Sequence, residues 1–132
     1  MKHTWPYIEG IYSPPAPVIS VDIWHIEQTE SLSVRTLVDS GSDITSVPQR
    51  YLDHLNVRAV EEVSLTGIHG VKRNVKIYDV WLKLASHPPV FIEVIGDQVN
   101  TDVILGRDVL NDYEVTLNGL ASVTEIKAFD LA

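Results

Sequence analysis

Residues 37–43 read Leu-Val-Asp-Ser-Gly-Ser-Asp and carry the chain from an apolar run into a polar turn. The preceding residues predict a buried strand, and Asp39 stands where that strand breaks. A carboxylate in such a place costs folding free energy unless the protein satisfies or uses it. Asp39 is therefore either a structural turn residue that binds its own backbone or a carboxylate with a chemical role.

Composition limits the classes of function that the protein can have. The chain has 132 residues, a length that favours one domain, and 45% of them are hydrophobic, which is enough for an ordinary core. A formal net charge of −8 argues against a nucleic-acid partner. We also expect no membrane association, because no apolar run reaches the length of a spanning helix.

Cysteine is absent, so the chain has neither disulfides nor thiolate metal ligands. The five histidines never fall into a metal-ligand spacing, and we expect no metal and no cofactor. The first residues lack the apolar segment of a secretory signal, and with the missing cysteines this favours a cytoplasmic location.

The remaining pattern predicts an all-β fold with one or two short helices. One helix is expected over residues 46–55 with Ser46 as its cap, and a helical turn over residues 106–111. Asp97 and Asp102 flank a turn and are expected only to solvate it. Strands are predicted from alternating or continuous apolar runs at residues 18–26, 32–38, 60–65, 71–84, 90–95, 103–105, 113–117 and 121–129.

Prolines divide the chain into two parts. Residues 1–17 contain four prolines, which exclude a helix and a central strand. We interpret them as an extended N-terminal arm that packs through its aromatic residues, and residues 18–132 as the folded domain. The tail beyond residue 120 alternates in the manner of an interface strand.

A second motif, at residues 103–110, indicates a role for the Asp39 motif. Residues 103–110 read Val-Ile-Leu-Gly-Arg-Asp-Val-Leu, and a hairpin with glycines at its turn lies between the two motifs at residues 65–71. In order and spacing, residues 18–117 resemble the retropepsin-like aspartic proteases, a single-lobe dimeric class that includes retroviral proteases and cellular and prokaryotic relatives. The resemblance implies a closed β-barrel with a flap hairpin and a homodimer.

The resemblance also assigns roles residue by residue. Asp39 matches the catalytic aspartate, Ser40 a hydroxyl that bonds across the two-fold axis, and Gly41 the third residue of that catalytic motif. It further implies an ion pair between Asp43 and Arg107. The remaining matches are to substrate-binding positions: Gly41, Ser42 and Asp43 in the turn, Thr66, Gly67, Ile68, His69 and Gly70 in the flap, and Ile104 in the pocket wall.

The chain carries one such aspartate motif, whereas the chemistry needs two facing carboxylates. The resemblance therefore implies an endopeptidase with one Asp39 from each subunit, acting on peptide or protein substrates at mildly acidic pH. An alternative is a dimeric peptide-binding module that keeps the fold without turnover, because a fold does not determine a function.

Overall fold

The computed structural model describes residues 1–67 and 69–128. Ten strands and two short helices form within these residues, and the all-β prediction is confirmed. Their bounds are β1 Lys2–Pro6, β2 Val18–Trp24, β3 Ser31–Val38, β4 Ser46–Pro48, α1 Gln49–His54, β5 Ala59–Thr66, β6 Lys72–Lys83, β7 Val90–Asp97, β8 Val103–Leu105, α2 Arg107–Leu110, β9 Tyr113–Asn118 and β10 Val123–Ala128.

Six strands close into a barrel, as predicted. The larger sheet has the order β2-β3-β8-β4-β7-β6-β5, and a further antiparallel pairing of β2 with β6 joins its two sides. Closure removes sheet edges from the barrel. Strand β5 remains outside the ring and pairs only with β6, so the two form a long hairpin that projects from the barrel wall.

Alternating side chains fill the barrel. In β6 the residues Tyr78, Val80 and Leu82 are buried, and the residues between them are less so. Burying one such aliphatic side chain contributes about 1.5–3 kcal/mol before the entropy cost of ordering it. The period-2 pattern thus turns one face of each strand inward and fixes the register.

A second, three-stranded sheet has the order β1-β10-β9 and is antiparallel throughout. It packs on the barrel core through Ile126, which is fully buried, and through Trp5, which is half-buried. The predicted tail strand is therefore β10, and β1 and β9 occupy both of its edges. The expected strand extended to Phe129, which lies outside the described residues.

The predicted helix over residues 46–55 is wrong at its start. Residues Ser46–Pro48 form β4 instead, and α1 begins at Gln49 with Pro48 in the capping position. Ser46 pairs with Ile95 of β7 and Ile104 of β8, so strand pairing inside the barrel outweighs its capping preference. Neither described helix has the length and apolar character needed to cross a membrane.

Candidate active site

Asp39 lies directly after β3, and its backbone is held on both sides. Its amide donates to the carbonyl oxygen of Leu105 in β8 at 3.1 Å, and its carbonyl accepts from the amide of Ser42 at 3.1 Å. The carboxylate oxygen Oδ1 accepts from the amide of Gly41 at 2.9 Å. The side chain is half-buried, so a carboxylate of fixed orientation is presented to a surface.

The turn itself is compact. A Cβ added at Gly41 would lie 3.1 Å from Oδ1 of Asp39, so glycine leaves the carboxylate its place beside the backbone. The hydroxyl of Ser42 donates to the carbonyl of Ile44 at 2.7 Å. Ser40 and Gly41 are exposed.

Arg107 fastens this turn from below. Its backbone amide donates to the carbonyl of Ser42 at 2.9 Å, and its Nη1 donates to the carbonyl of Ser40 at 2.6 Å. Its Nη2 forms an ion pair with Oδ1 of Asp43, the pair that the family resemblance implied. Because Asp43 is 86% exposed, the charge attraction contributes at most about 1 kcal/mol. The arginine therefore acts mainly by fixing the shape of the turn.

A hydrogen-bond network around the buried Thr45, which the sequence did not reveal, completes the support. Thr45 is fully buried, and its hydroxyl donates to Oδ1 of Asp108 at 2.7 Å while accepting from the amide of Gly106 at 3.1 Å. The amide of Thr45 donates to Oδ2 of Asp108 at 3.0 Å. Asp108 follows the predicted pair residue Arg107, but nothing in one sequence indicates that Thr45 is its partner.

The glycine-bearing hairpin ends in a tight loop between Thr66 and Lys72, the last pair of β5 and β6. The amide of Gly67 donates to the carbonyl of Val71 at 2.8 Å, and Gly70 has a left-handed φ of +73°, which glycine adopts readily. Thr66, Gly67, His69 and Gly70 are exposed, whereas Ile68 lies outside the described residues. No contact described in the structure joins this tip to Asp39.

Apolar side chains lie between the hairpin and the turn. Ile104 of β8 is half-buried and pairs with Leu37 and Ser46. A second small cluster, which sequence reasoning did not identify, is separate from the main core. It consists of buried Val75, Ile77 and Ile95 with half-buried Ile44 and Val63 packed against them.

Beyond Asp43 and Ile44 the surface forms a shallow, open depression with a volume of about 550 Å³. Its other walls come from β7 and from Asp108. The turn that carries Asp39 thus borders this depression, but Asp39 itself does not line it.

Asp97 at the end of β7 and Asp102 just before β8 are more than solvated turn residues. At Asp97 burial raises the pKa, but hydrogen bonds from Val99 and Asn100 and the charge of Arg73 outweigh it, so the pKa is lowered overall. Burial raises the pKa of Asp102. Asp102 accepts hydrogen bonds from Arg35 and from the hydroxyl of Tyr12, so its partners come from β3 and from the N-terminal arm.

The Asp39 turn presents an oriented, half-buried carboxylate at the surface. A half-exposed carboxylate can serve as a general base or, when protonated, as a general acid. Within the described residues, no group of three or more histidine and acidic side chains is placed to hold a metal ion.

Comparison with known structures places the architecture among retropepsin-like proteins. A retropepsin-like aspartic protease from Rickettsia conorii superimposes with a TM-score of 0.65 at 7% identity, over 97% of this chain and 93% of that one. The retroviral protease-like domain of Ddi1 from Leishmania major gives 0.51 at 20% identity, over 86% and 95% of the two chains. At these identities the likeness shows the fold alone.

EIAV protease in complex with the inhibitor HBY-793 has a TM-score of 0.51 and 25% identity, over 74% of this chain and 86% of the protease. No curated protein sequence matches the chain. The model of the spumavirus aspartic protease (A9) family matches residues 29–127, which include the Asp39 turn, the hairpin and the Gly106-Arg107 segment. This match extends over well more than half of the sequence, and the chain belongs to that family of retropepsin-like aspartic proteases.

Proposed function

We propose that the protein is an aspartic endopeptidase that acts as a homodimer, with one Asp39 from each subunit forming the catalytic pair. The observation that carries this proposal is the Asp39 turn. The amide of Gly41 orients the carboxylate of Asp39, and Arg107 holds the surrounding turn through Ser40 and Asp43, while the chain supplies no second motif of this kind. Family membership supplies the reaction class.

The mechanism follows from two carboxyls that face each other. Like charges a few ångströms apart do not both ionise easily, so the pair shares one proton at its working pH. The ionised Asp39 takes a proton from a water molecule, which attacks the scissile carbonyl carbon. The protonated Asp39 of the other subunit donates its proton to the carbonyl oxygen. The pair titrates as a unit, and activity is expected to be highest at mildly acidic pH.

The substrate is proposed to lie extended between the site turn and the hairpin. Backbone groups of Gly41, Ser42 and Asp43 would line one side, and residues 66–70 would close over it as a flap. Ile104 and the small apolar cluster would form the pocket walls, which favours apolar side chains beside the cleaved bond. The hydroxyl of Ser40 would bond across the two-fold axis.

The free strand edges of the structure support one arrangement of the proposed dimer. In the three-stranded sheet β1-β10-β9, here called the terminal sheet, β10 is central, and β1 and β9 are the edges among the described residues. The β1 edge carries Lys2 and Pro6, which discourage further pairing. The β9 edge has no lysine, arginine or proline, and Leu117 near its end is 50% exposed. We therefore place the second copy along β9.

Cleavage by the purified protein tests the proposal. Denatured casein is incubated with wild type and with Asp39→Asn from pH 4 to pH 8, and new termini are identified by mass spectrometry. We expect wild type to cut, most rapidly at mildly acidic pH, and Asp39→Asn to lose activity by a factor of at least about 10³. Glu61→Gln, which alters an exposed carboxylate on β5, is the matched control and should cut like wild type.

Two results would contradict the proposal. Equal cleavage by wild type and Asp39→Asn would assign the activity to a contaminant or another site. A dimeric wild type that binds an apolar peptide but never cuts it would favour the non-catalytic peptide-binding module instead.

A further inference from the structure

The N-terminal arm reaches both strands that carry the candidate site. Ile8 and Ala16 exchange backbone hydrogen bonds of 3.0 and 2.9 Å, which close residues 9–15 into a loop with Tyr12 near its middle. The carbonyl of Pro17, at the end of the arm, accepts from the amide of Val38 at 3.0 Å, one residue before Asp39. The arm is therefore attached to the end of β3.

The second attachment is on the β8 side. Asp102 directly precedes β8, and its Oδ2 accepts from the hydroxyl of Tyr12. Its Oδ1 accepts from Nε and Nη2 of Arg35 in β3, at 3.0 and 2.8 Å. The guanidinium carbon of Arg35 lies 5.9 Å from the centre of the Tyr12 ring. These three side chains, here called the arm clamp, connect the arm, β3 and the start of β8.

The two strands joined by the arm clamp pair with each other over only a short stretch. Strand β3 pairs with β8 over three residues, Thr36 to Val38 against Val103 to Leu105. The clamp lies at one end of this short parallel ladder, and the bond from the Asp39 amide to Leu105 lies at the other. Three residues of strand span about 10 Å. A shift at Asp102 thus moves the segment that carries both Ile104 and the carbonyl bound by Asp39.

The burial of Asp102 makes its contact with Tyr12 energetically important. The side chain of Asp102 is only 12% exposed, whereas that of Arg35 is 46% exposed. A carboxylate removed from water needs its hydrogen bonds, and loss of one donor from such a group is more costly than loss of an exposed pair. The Tyr12 hydroxyl therefore contributes more to stability than its place in a proline-rich arm indicates.

We propose that Tyr12 and Asp102 are positioning residues of the active site, and that the arm holds β8 against β3 so that Ile104 and Asp39 keep their relative places. Neither residue touches the reacting atoms. This inference rests on the proposed endopeptidase function for its catalytic consequence, and on the structure alone for its effect on the β3–β8 ladder.

The test removes one oxygen atom. Tyr12→Phe deletes the hydroxyl that reaches Asp102, and Tyr7→Phe makes the same change in the same arm at a tyrosine whose side chain makes no such bond in the described structure. Amide hydrogen exchange is measured at Val38, Asp39 and Leu105 in both variants. We expect exchange of the Asp39 amide to rise about tenfold or more in Tyr12→Phe and to remain unchanged in Tyr7→Phe.

The catalytic readout uses two peptides that differ only beside the cleaved bond, one with leucine and one with alanine. Displacement of the Ile104 wall should lower the leucine-over-alanine ratio of kcat/KM by roughly five- to tenfold in Tyr12→Phe. A purely structural weakening lowers both values equally and leaves the ratio unchanged. The double variant Tyr12→Phe with Asp102→Ala should lose little more than Asp102→Ala alone, because Asp102→Ala already removes the acceptor of the Tyr12 hydroxyl.

The outcomes separate the two proposals. Normal exchange and a normal ratio in Tyr12→Phe overturn the positioning role while wild-type cleavage leaves the endopeptidase intact. If wild type does not cut, the endopeptidase proposal fails, and the exchange rates still decide whether the arm clamp holds the ladder: faster exchange at Asp39 supports it, and unchanged exchange overturns it.

Discussion

At the scale of single residues, the candidate site depends on groups that never face a substrate. Asp39 keeps its orientation because its backbone is bonded to Leu105 and its turn to Arg107. This turn is also supported by Thr45, whose buried hydroxyl bonds both Asp108 and Gly106. A threonine six residues after Asp39 thus supports the turn in which Asp39 is held.

Two of the fully buried threonines, Thr45 and Thr124, provide a matched pair for measuring that support. Thr45→Val leaves the buried amide of Gly106 without the hydroxyl that it bonds, and an unsatisfied buried group costs about 1–3 kcal/mol, whereas the exposed Asp108 keeps its bond from the Thr45 amide. We expect Thr45→Val to lower the free energy of unfolding by about 2 kcal/mol, measured by urea denaturation. The proposed cleavage of casein should fall with it.

Thr124→Val serves as the control, because Thr124 is equally buried and its hydroxyl has no hydrogen-bond partner within residues 1–67 and 69–128. Replacing an unsatisfied hydroxyl by a methyl group removes a desolvation cost, so this variant should be as stable as wild type or slightly more stable. Equal losses at both threonines would mean that the Thr45 network contributes nothing beyond packing.

At the scale of elements, the decisive feature is how closely β8 and α2 pass beneath the Asp39 turn. A Cβ added at Gly106 would lie 2.8 Å from the carbonyl carbon of Ile44 and 3.0 Å from the carbonyl oxygen of Ser42. These are backbone atoms that have no rotamer with which to move away. The glycine therefore sets the distance between the turn and the segment that supplies Arg107.

Gly106→Ala tests this crossing. Overpacking against backbone costs roughly 1–3 kcal/mol, and the turn must shift to relieve it. We expect a fall of that size in the free energy of unfolding and at least about a tenfold loss of the proposed cleavage activity. Gly119→Ala is the control, since a Cβ there meets no atom within 4 Å and its φ is not left-handed. Unchanged activity in Gly106→Ala would show that the turn tolerates displacement.

Much of this element plan can be predicted from the sequence, because alternation of apolar residues depends only on which strand face is buried. The runs that become β2, β3, β6 and β7 were predicted on that basis. The start of α1 was not, because Ser46 has a capping preference that its pairing with β7 and β8 overrides. Contacts between distant segments, such as Thr45 with Asp108 and Tyr12 with Asp102, leave no local pattern at all.

At the scale of the whole molecule, the proposed dimer can be argued from the terminal sheet. Because β1 already pairs with β10 of the same chain, the proposed subunits need not exchange their ends. An edge-to-edge pairing through β9 would join two three-stranded sheets across a two-fold axis. In an antiparallel pair of identical strands, one position lies opposite itself, and its Cα atoms are about 4.5–5.5 Å apart.

The absence of cysteine makes that position measurable. A single introduced cysteine can form a disulfide only with its copy in another molecule, and a disulfide requires Cα atoms about 4.4–6.8 Å apart. We expect one of the variants Glu114→Cys, Thr116→Cys and Asn118→Cys, all exposed on β9, to give a covalent dimer under mild oxidation. Non-reducing gel electrophoresis and the solution mass report the result.

The β1 edge provides the control for geometry. Lys2→Cys and Thr4→Cys are exposed on the opposite edge of the same sheet and should remain monomeric under denaturing, non-reducing conditions. Disulfide dimers from β1 but not from β9 would reverse the placement of the two-fold axis. A wild type that stays monomeric at high concentration would be more damaging, because Asp39 would then have no partner carboxylate and the proposed proton transfer could not take place.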